Sequence, residues 1–171
     1  MQRLFTLALL SSMVAFSSGC TTMAKRAFKE AKGAGSDAEP VPGSGGGAFA
    51  QFQGVTIDPP RTDLGGLVNS GFMTSLPTQL RKHLTQEADA PFKGSAPALS
   101  IEPEVRYFHR GGGPFPTKIA VVLYWLKADG ADYGRVQVVT KSEATGTGDD
   151  DMANSNAKEL ASYLNKRKQG K

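Results

Sequence analysis

The chain has 171 residues, a length that suits one domain with additional segments. Its 20 Lys and Arg against 16 Asp and Glu give a net charge of +4, too small and too dispersed for the concentrated basic face of a nucleic-acid binder, so no nucleic acid is expected as a partner. One cysteine, Cys20, excludes an intramolecular disulfide framework.

Residues 1–19 have the three parts of an export signal: a positive start at Arg3, an apolar run from Leu4 to Phe16, and the small residues Ser17, Ser18 and Gly19. The apolar run is shorter than the ~20 residues that a membrane-spanning helix requires. The segment ends at Cys20. Ser18-Gly19-Cys20 resembles the lipobox of bacterial lipoproteins, with Ser17 where that pattern usually has Leu. The resemblance implies cleavage after Gly19 and acylation of Cys20, through which the mature chain would join the membrane. Two or more acyl chains hold a protein firmly where one binds only marginally. Thr21 follows Cys20, and in Gram-negative lipoproteins the absence of Asp at that place implies the outer membrane, with the protein facing the periplasm. Losing Arg3 with the leader leaves a side-chain charge of +3.

Residues 20–54 read as a tether. The stretch 21–32 carries Lys25, Arg26, Lys29 and Lys32 beside Phe28. It reads first as a solvated spacer, with a short basic helix on anionic headgroups as the alternative. Residues 33–54 are rich in Gly, Ser and Pro and show no hydrophobic period, which predicts a flexible linker whose removal leaves the domain's stability unchanged. The glycine-rich stretch Gly43 to Gly47 lacks the strand-to-helix setting and the Lys-Ser or Lys-Thr ending of a phosphate loop.

The folded domain is expected over 55–171. Val55 and Ile57 predict a short edge strand stopped by Pro59-Pro60. Phe72, Leu76, Leu80 and Leu84 recur every four residues and predict a helix over 71–87, with Pro77 marking a late start or a kink. Leu99, Ile101, Val105 and Tyr107 alternate with polar residues as a half-buried strand, at an edge or bulged because of Pro103. Thr117 to Lys127 is apolar on both faces: Ile119, Val121, Leu123 and Trp125 on one, Ala120, Val122, Tyr124 and Leu126 on the other. Such a strand is central and is either covered on both faces or covered on one and touching a partner with the other. An Asp129-Gly130 turn signal leads into a strand over 135–141. A final helix begins near Asp149–Asp151, whose charges suit its N-terminal dipole, carries an apolar stripe of Ala153, Ala157, Leu160, Ala161 and Leu164, and ends in Lys166, Arg167 and Lys168. The predicted fold is α+β: a small, mainly antiparallel sheet of about four strands with two helices on one face.

This order of an anchor, a tether, a helix with LRKHL, the turn Arg110–Gly113, a hairpin and the last helix AKELASYLNK is similar to envelope lipoproteins with a TolB-N-terminal-like or curli-assembly-like periplasmic domain. The resemblance implies an assembly or transport accessory and transfers no active site.

No residues stand out as catalytic. His83 flanks the first helix stripe and His109 closes a strand, and two histidines without placed carboxylates do not define a metal site. No serine sits in a Gly-x-Ser-x-Gly elbow. Asp149–Asp151 lack the spacing of a calcium loop and read as helix capping. Neither a metal nor another cofactor is expected. The candidate contact residues are Phe108, Gly111, Gly112, Gly113 and Phe115, aromatics beside a glycine turn that suit docking of an envelope protein. The expected function is a non-enzymatic binding or assembly module. The alternative is a carrier holding a lipid or small hydrophobic molecule between sheet and helices.

Overall fold

The computed structural model describes residues 33–44, 49–112, 117–144 and 146–170. The leader, Cys20 and the stretch 21–32 lie outside the described residues.

Five strands form one sheet: β1 (Gly35–Pro40), β2 (Gly54–Ile57), β3 (Ala98–His109), β4 (Lys118–Ala128) and β5 (Ala131–Ser142), in the order β1-β5-β4-β3-β2. All neighbours are antiparallel except β2 and β3, which are parallel. Helix α1 (Ser70–Arg81) continues into a π turn (Lys82–Gln86), and α2 is Asp149–Lys168. The fold is thus α+β, as expected, with one strand more than the sequence pattern predicts.

The added strand corrects the expected tether. Residues 35–40 pair with β5 from Gly35↔Lys141 to Pro40↔Val136. Phe49 and Phe52, each 3% exposed, enter the core on either side of a short 3-10 turn. The folded body therefore includes residues 35–40, Phe49 and Phe52 and does not start at Val55. A sheet ladder is made by backbone groups, so a polar, glycine-rich segment can occupy an edge that a neighbour offers. Side chains then fix it: Ser36 Oγ lies 2.8 Å from Thr140 Oγ1 and 2.9 Å from Ser155 Oγ. At β2, Gly54 passes so close to the carbonyl of Ser95 that a Cβ would sit 2.4 Å from its oxygen, which only glycine allows.

β3 is interior and not an edge, and it carries a bulge between Val105 and Tyr107. The extra residue, Arg106, reverses the alternation. Leu99, Ile101 and Val105 are buried, while Tyr107 is turned to the opposite face and is 49% exposed. Pro103 is tolerated because its missing N–H points to the side where β2 has already ended; its carbonyl there accepts the N–H of Arg61. Pro77 lies inside α1, which starts upstream of it at Ser70. The β4–β5 hairpin turns on two residues, Asp129 and Gly130, both at positive φ, the geometry that suits an Asp-Gly pair.

Both helices cover one face of the sheet. Phe72, Leu76, Leu80 and Leu84 meet Met152, Ala153, Ala157, Leu160 and Leu164, and both rows close over Val122, Tyr124, Leu126, Val136 and Val138. A polar chain crosses this core: Tyr124 Oη donates to Asn156 Oδ1, and Asn156 Nδ2 donates to Thr140 Oγ1 at 2.8 Å. Burial pushes the Tyr124 phenol pKa up, so the hydroxyl keeps its proton. Acidic residues open α2 as expected, and Asp151 Oδ2 accepts the N–H of Gly148 at 2.9 Å.

Candidate functional site on the uncovered sheet face

Because Ala120, Val122, Tyr124, Leu126 and Ala128 point toward the helices, strand alternation sends Ile119, Val121, Leu123, Trp125 and Lys127 to the other face. Register extends this row sideways. Val121 is opposite Tyr107 and Val139, Leu123 opposite Glu104 and Gln137, and Trp125 opposite Glu102 and Arg135. Among the described residues no helix lies over this face; Ile119, Val121, Trp125 and Val139 are partly exposed and Tyr107 is exposed, while Leu123 between them is buried by its neighbours' side chains, and charged residues border the row.

The charges at the Trp125 end are fixed by one another. Trp125 Nε1 donates to Glu104 Oε2 at 2.9 Å, and the Arg135 guanidinium lies 4.0 Å from the centre of the indole ring. Arg106 reaches Glu104 at 2.8 Å and Arg61 reaches it at 3.5 Å. Lys127 holds Glu102 at 2.6 Å, and Arg135 is oriented by Asp132 at 3.0 Å. Burial raises the pKa of Glu104, but the Trp125 hydrogen bond and the charges of Arg106 and Arg61 outweigh it and hold the carboxyl below its ordinary value. The carboxylate is already engaged by these donors, which suits it to positioning the indole and not to proton transfer. The arrangement presents a planar aromatic group, a guanidinium and aliphatic surface in one fixed pattern, the chemistry of a protein-docking surface.

Of the contact residues expected from the sequence, Phe108, Gly111 and Gly112 are described and lie outside this row. Phe108 is half-buried, and its ring lies 5.2 Å from that of Phe72 on the helix side of the sheet, because the β3 bulge turns it inward. Gly111 and Gly112 stand at the end of β3 with φ of 69° and 133°. Gly113 and Phe115 lie outside the described residues. His83 is 5% exposed and not a surface residue: Nδ1 is 2.8 Å from Glu87 Oε2 and Nε2 is 2.8 Å from Asn154 Oδ1, so the ring ties the π turn to α2. It borders an open polar cleft of about 300 Å³ whose walls include Glu87, Lys158, Asn165 and Lys166. His109 pairs with Ile119 at the far end of the sheet face from the Glu102–Glu104 cluster. Among the described residues, no three of His, Cys, Asp and Glu converge in a way that would hold a metal ion.

No family model and no curated protein matches the chain. Its fold is similar to two solved structures from Paraburkholderia phytofirmans. One is a dodecamer of PelC carrying a single substitution, with a TM-score of 0.51 and 13% identity, covering 77% of this chain and 97% of that one. The other is the PelC dodecamer in a second crystal form, with a TM-score of 0.50 and 13% identity, covering 76% and 97%. At this identity the likeness concerns the fold alone.

Proposed function

We propose that this protein is a lipid-anchored assembly module of the bacterial envelope, held at the outer membrane through Cys20 and facing the periplasm, which works by docking protein on its open sheet face. The observation that carries the reading is the two-sidedness of β4. One of its faces is sealed beneath the helices, while the other leaves Ile119, Val121 and Trp125 partly exposed beside the exposed Tyr107, with no helix of the described residues over them. Contiguous apolar surface of this kind marks contact sites. The space between sheet and helices, where a carried lipid would sit, is occupied by Tyr124, Phe72, Leu126 and Leu160 with no exposure, which favours docking over carriage. The engaged state of Glu104 favours a binding role over acid–base chemistry.

The partner we favour is a second copy of the same chain. Support comes from the PelC structures, which are dodecamers with a similar fold, and from the geometry of head-to-tail contacts, which close rings when each subunit uses two different patches. Sedimentation of the detergent-extracted protein tests this. The native chain should sediment as a multimer, and Val121→Asp, which places a charge in the middle of the half-exposed stripe, should sediment as a monomer with an unchanged melting temperature. A native chain that is monomeric at all concentrations would overturn the self-assembly reading.

A further inference from the structure

Where the chain enters the fold determines which end of the molecule lies next to the membrane. Gly35, Lys141, Ile119 and His109 form one row across the sheet, since each is paired with the next. The chain arrives at this row: Ser142 Oγ donates to the carbonyl of Gly33 at 3.4 Å, and Ser155 Oγ donates to that of Ala34 at 3.1 Å. Only thirteen residue steps separate Cys20 from Gly33. Even fully extended at ~3.3–3.6 Å each, they span no more than about 45 Å. From Lys141 in that row to Ala131 at the opposite end of the sheet, β5 runs about 33 Å. The opposite end could touch the bilayer only with most of the connecting segment drawn back along the domain.

The end at which the chain arrives also carries the most exposed large apolar residue among the described ones. Leu67 is 68% exposed on the 3-10 turn Gly65–Leu67, and the turn is held to the sheet by Arg110, whose Nη2 donates to the carbonyl of Gly66 at 2.8 Å. Arg110 and His109 at the end of β3, and Lys141 two strands away on β5, are exposed at the same end. Most acidic residues of the same end belong to the helix layer, where Asp150 accepts from Gln79 at 2.9 Å and Asp151 from the Gly148 N–H at 2.9 Å. On the sheet layer Asp63 and Glu143 stand against Arg110, Lys118 and Lys141, a balance of one positive charge; Lys118 donates to the carbonyl of Thr147 and Glu143 is engaged by a neighbouring group.

We propose that this end, which carries Leu67, Arg110 and Lys141, is a bilayer-contacting surface that seats on phospholipid headgroups. The apolar tip enters the headgroup boundary and the cations meet anionic phosphates. The proposal rests on the lipid anchor at Cys20 and adds an orientation to it.

The test uses the full-length acylated protein in phosphatidylethanolamine–phosphatidylglycerol vesicles that contain a quencher-bearing lipid. Cys20 is blocked by its acyl group, so Leu67→Cys and, at the opposite end, Ala131→Cys each accept a single fluorophore. Quenching several-fold stronger at position 67 than at 131 is expected. Equal quenching, or stronger quenching at 131, in vesicle-bound protein overturns the orientation and leaves the anchor standing. Protein that fails to bind vesicles, with thiol labelling at Cys20, overturns the anchor and the orientation with it.

Discussion

Glu104 collects donors from three segments: Arg61 beyond β2, Arg106 at the β3 bulge and Trp125 on β4. Its folded pKa lies below the ordinary glutamate value of about 4.5. The unfolded chain therefore binds a proton more readily, and the stabilisation is complete above that value and lost as pH falls through the folded one. Glu104→Gln should cost about 1–2 kcal/mol at pH 7, discounted for the exposed arginines. The difference between variant and native protein should close on acidification below pH ~4. Urea midpoints at neutral and acid pH check this, and a gap that is constant across pH would contradict it. Tyr124 offers a second test at this scale. Tyr124→Phe leaves Asn156 Oδ1 without its buried donor and should cost about 1–3 kcal/mol in the same assay. A variant as stable as the native chain would show that the polar chain through the core is dispensable. Phe108 shows where side-chain reading ends. Beside three glycines it looks exposed, yet one bulged residue upstream reverses the alternation and packs it on Phe72. The sequence contains Arg106 but nothing that marks it as the extra residue.

At the scale of elements, β4 and α2 were legible because their patterns are strong. Eleven residues apolar on both faces can only be a central strand, and α2 combines an acidic start, a small-residue stripe and a basic end. β1 was not legible. GSDAEP has neither apolar alternation nor β-branched residues, and what makes it a strand is the unpaired edge of β5. Phe49 and Phe52 were the available signal, two aromatics in a segment otherwise suited to a linker. The consequence reverses the expectation for the tether. A chain that lacks residues 33–54 should lose the burial of both phenylalanines, about 1.5–3 kcal/mol each, and should expose the β5 edge. Lys168, which donates to the carbonyls of Phe52 and Pro91 at 2.7 and 2.6 Å, would lose one of those partners. The melting temperature should fall by well over 5 °C for a loss of that size in a domain of about 130 residues, with aggregation on concentration. An unchanged melting curve would show that the segment only decorates the fold.

For the whole molecule, the pairing of residues 35–40 with β5 shortens the connection to the proposed anchor at Cys20. In the proposed arrangement, a body joined through residues 21–32 would work close to the bilayer with one end toward it, leaving the open sheet face to meet neighbours beside it. On this proposal acyl chains would supply attachment and the Trp125 face contact, while the helix layer buries the core. The uncovered face was foreshadowed by the apolar character of Ile119, Val121, Leu123 and Trp125, but its charged border was not, since Arg61, Glu104 and Arg135 are brought together only by register. Intact-mass measurement of the native, detergent-extracted protein tests anchor and assembly together. The account predicts a complex of several copies, each beginning at acylated Cys20. A single unacylated chain, or one that retains residues 1–19, would contradict it.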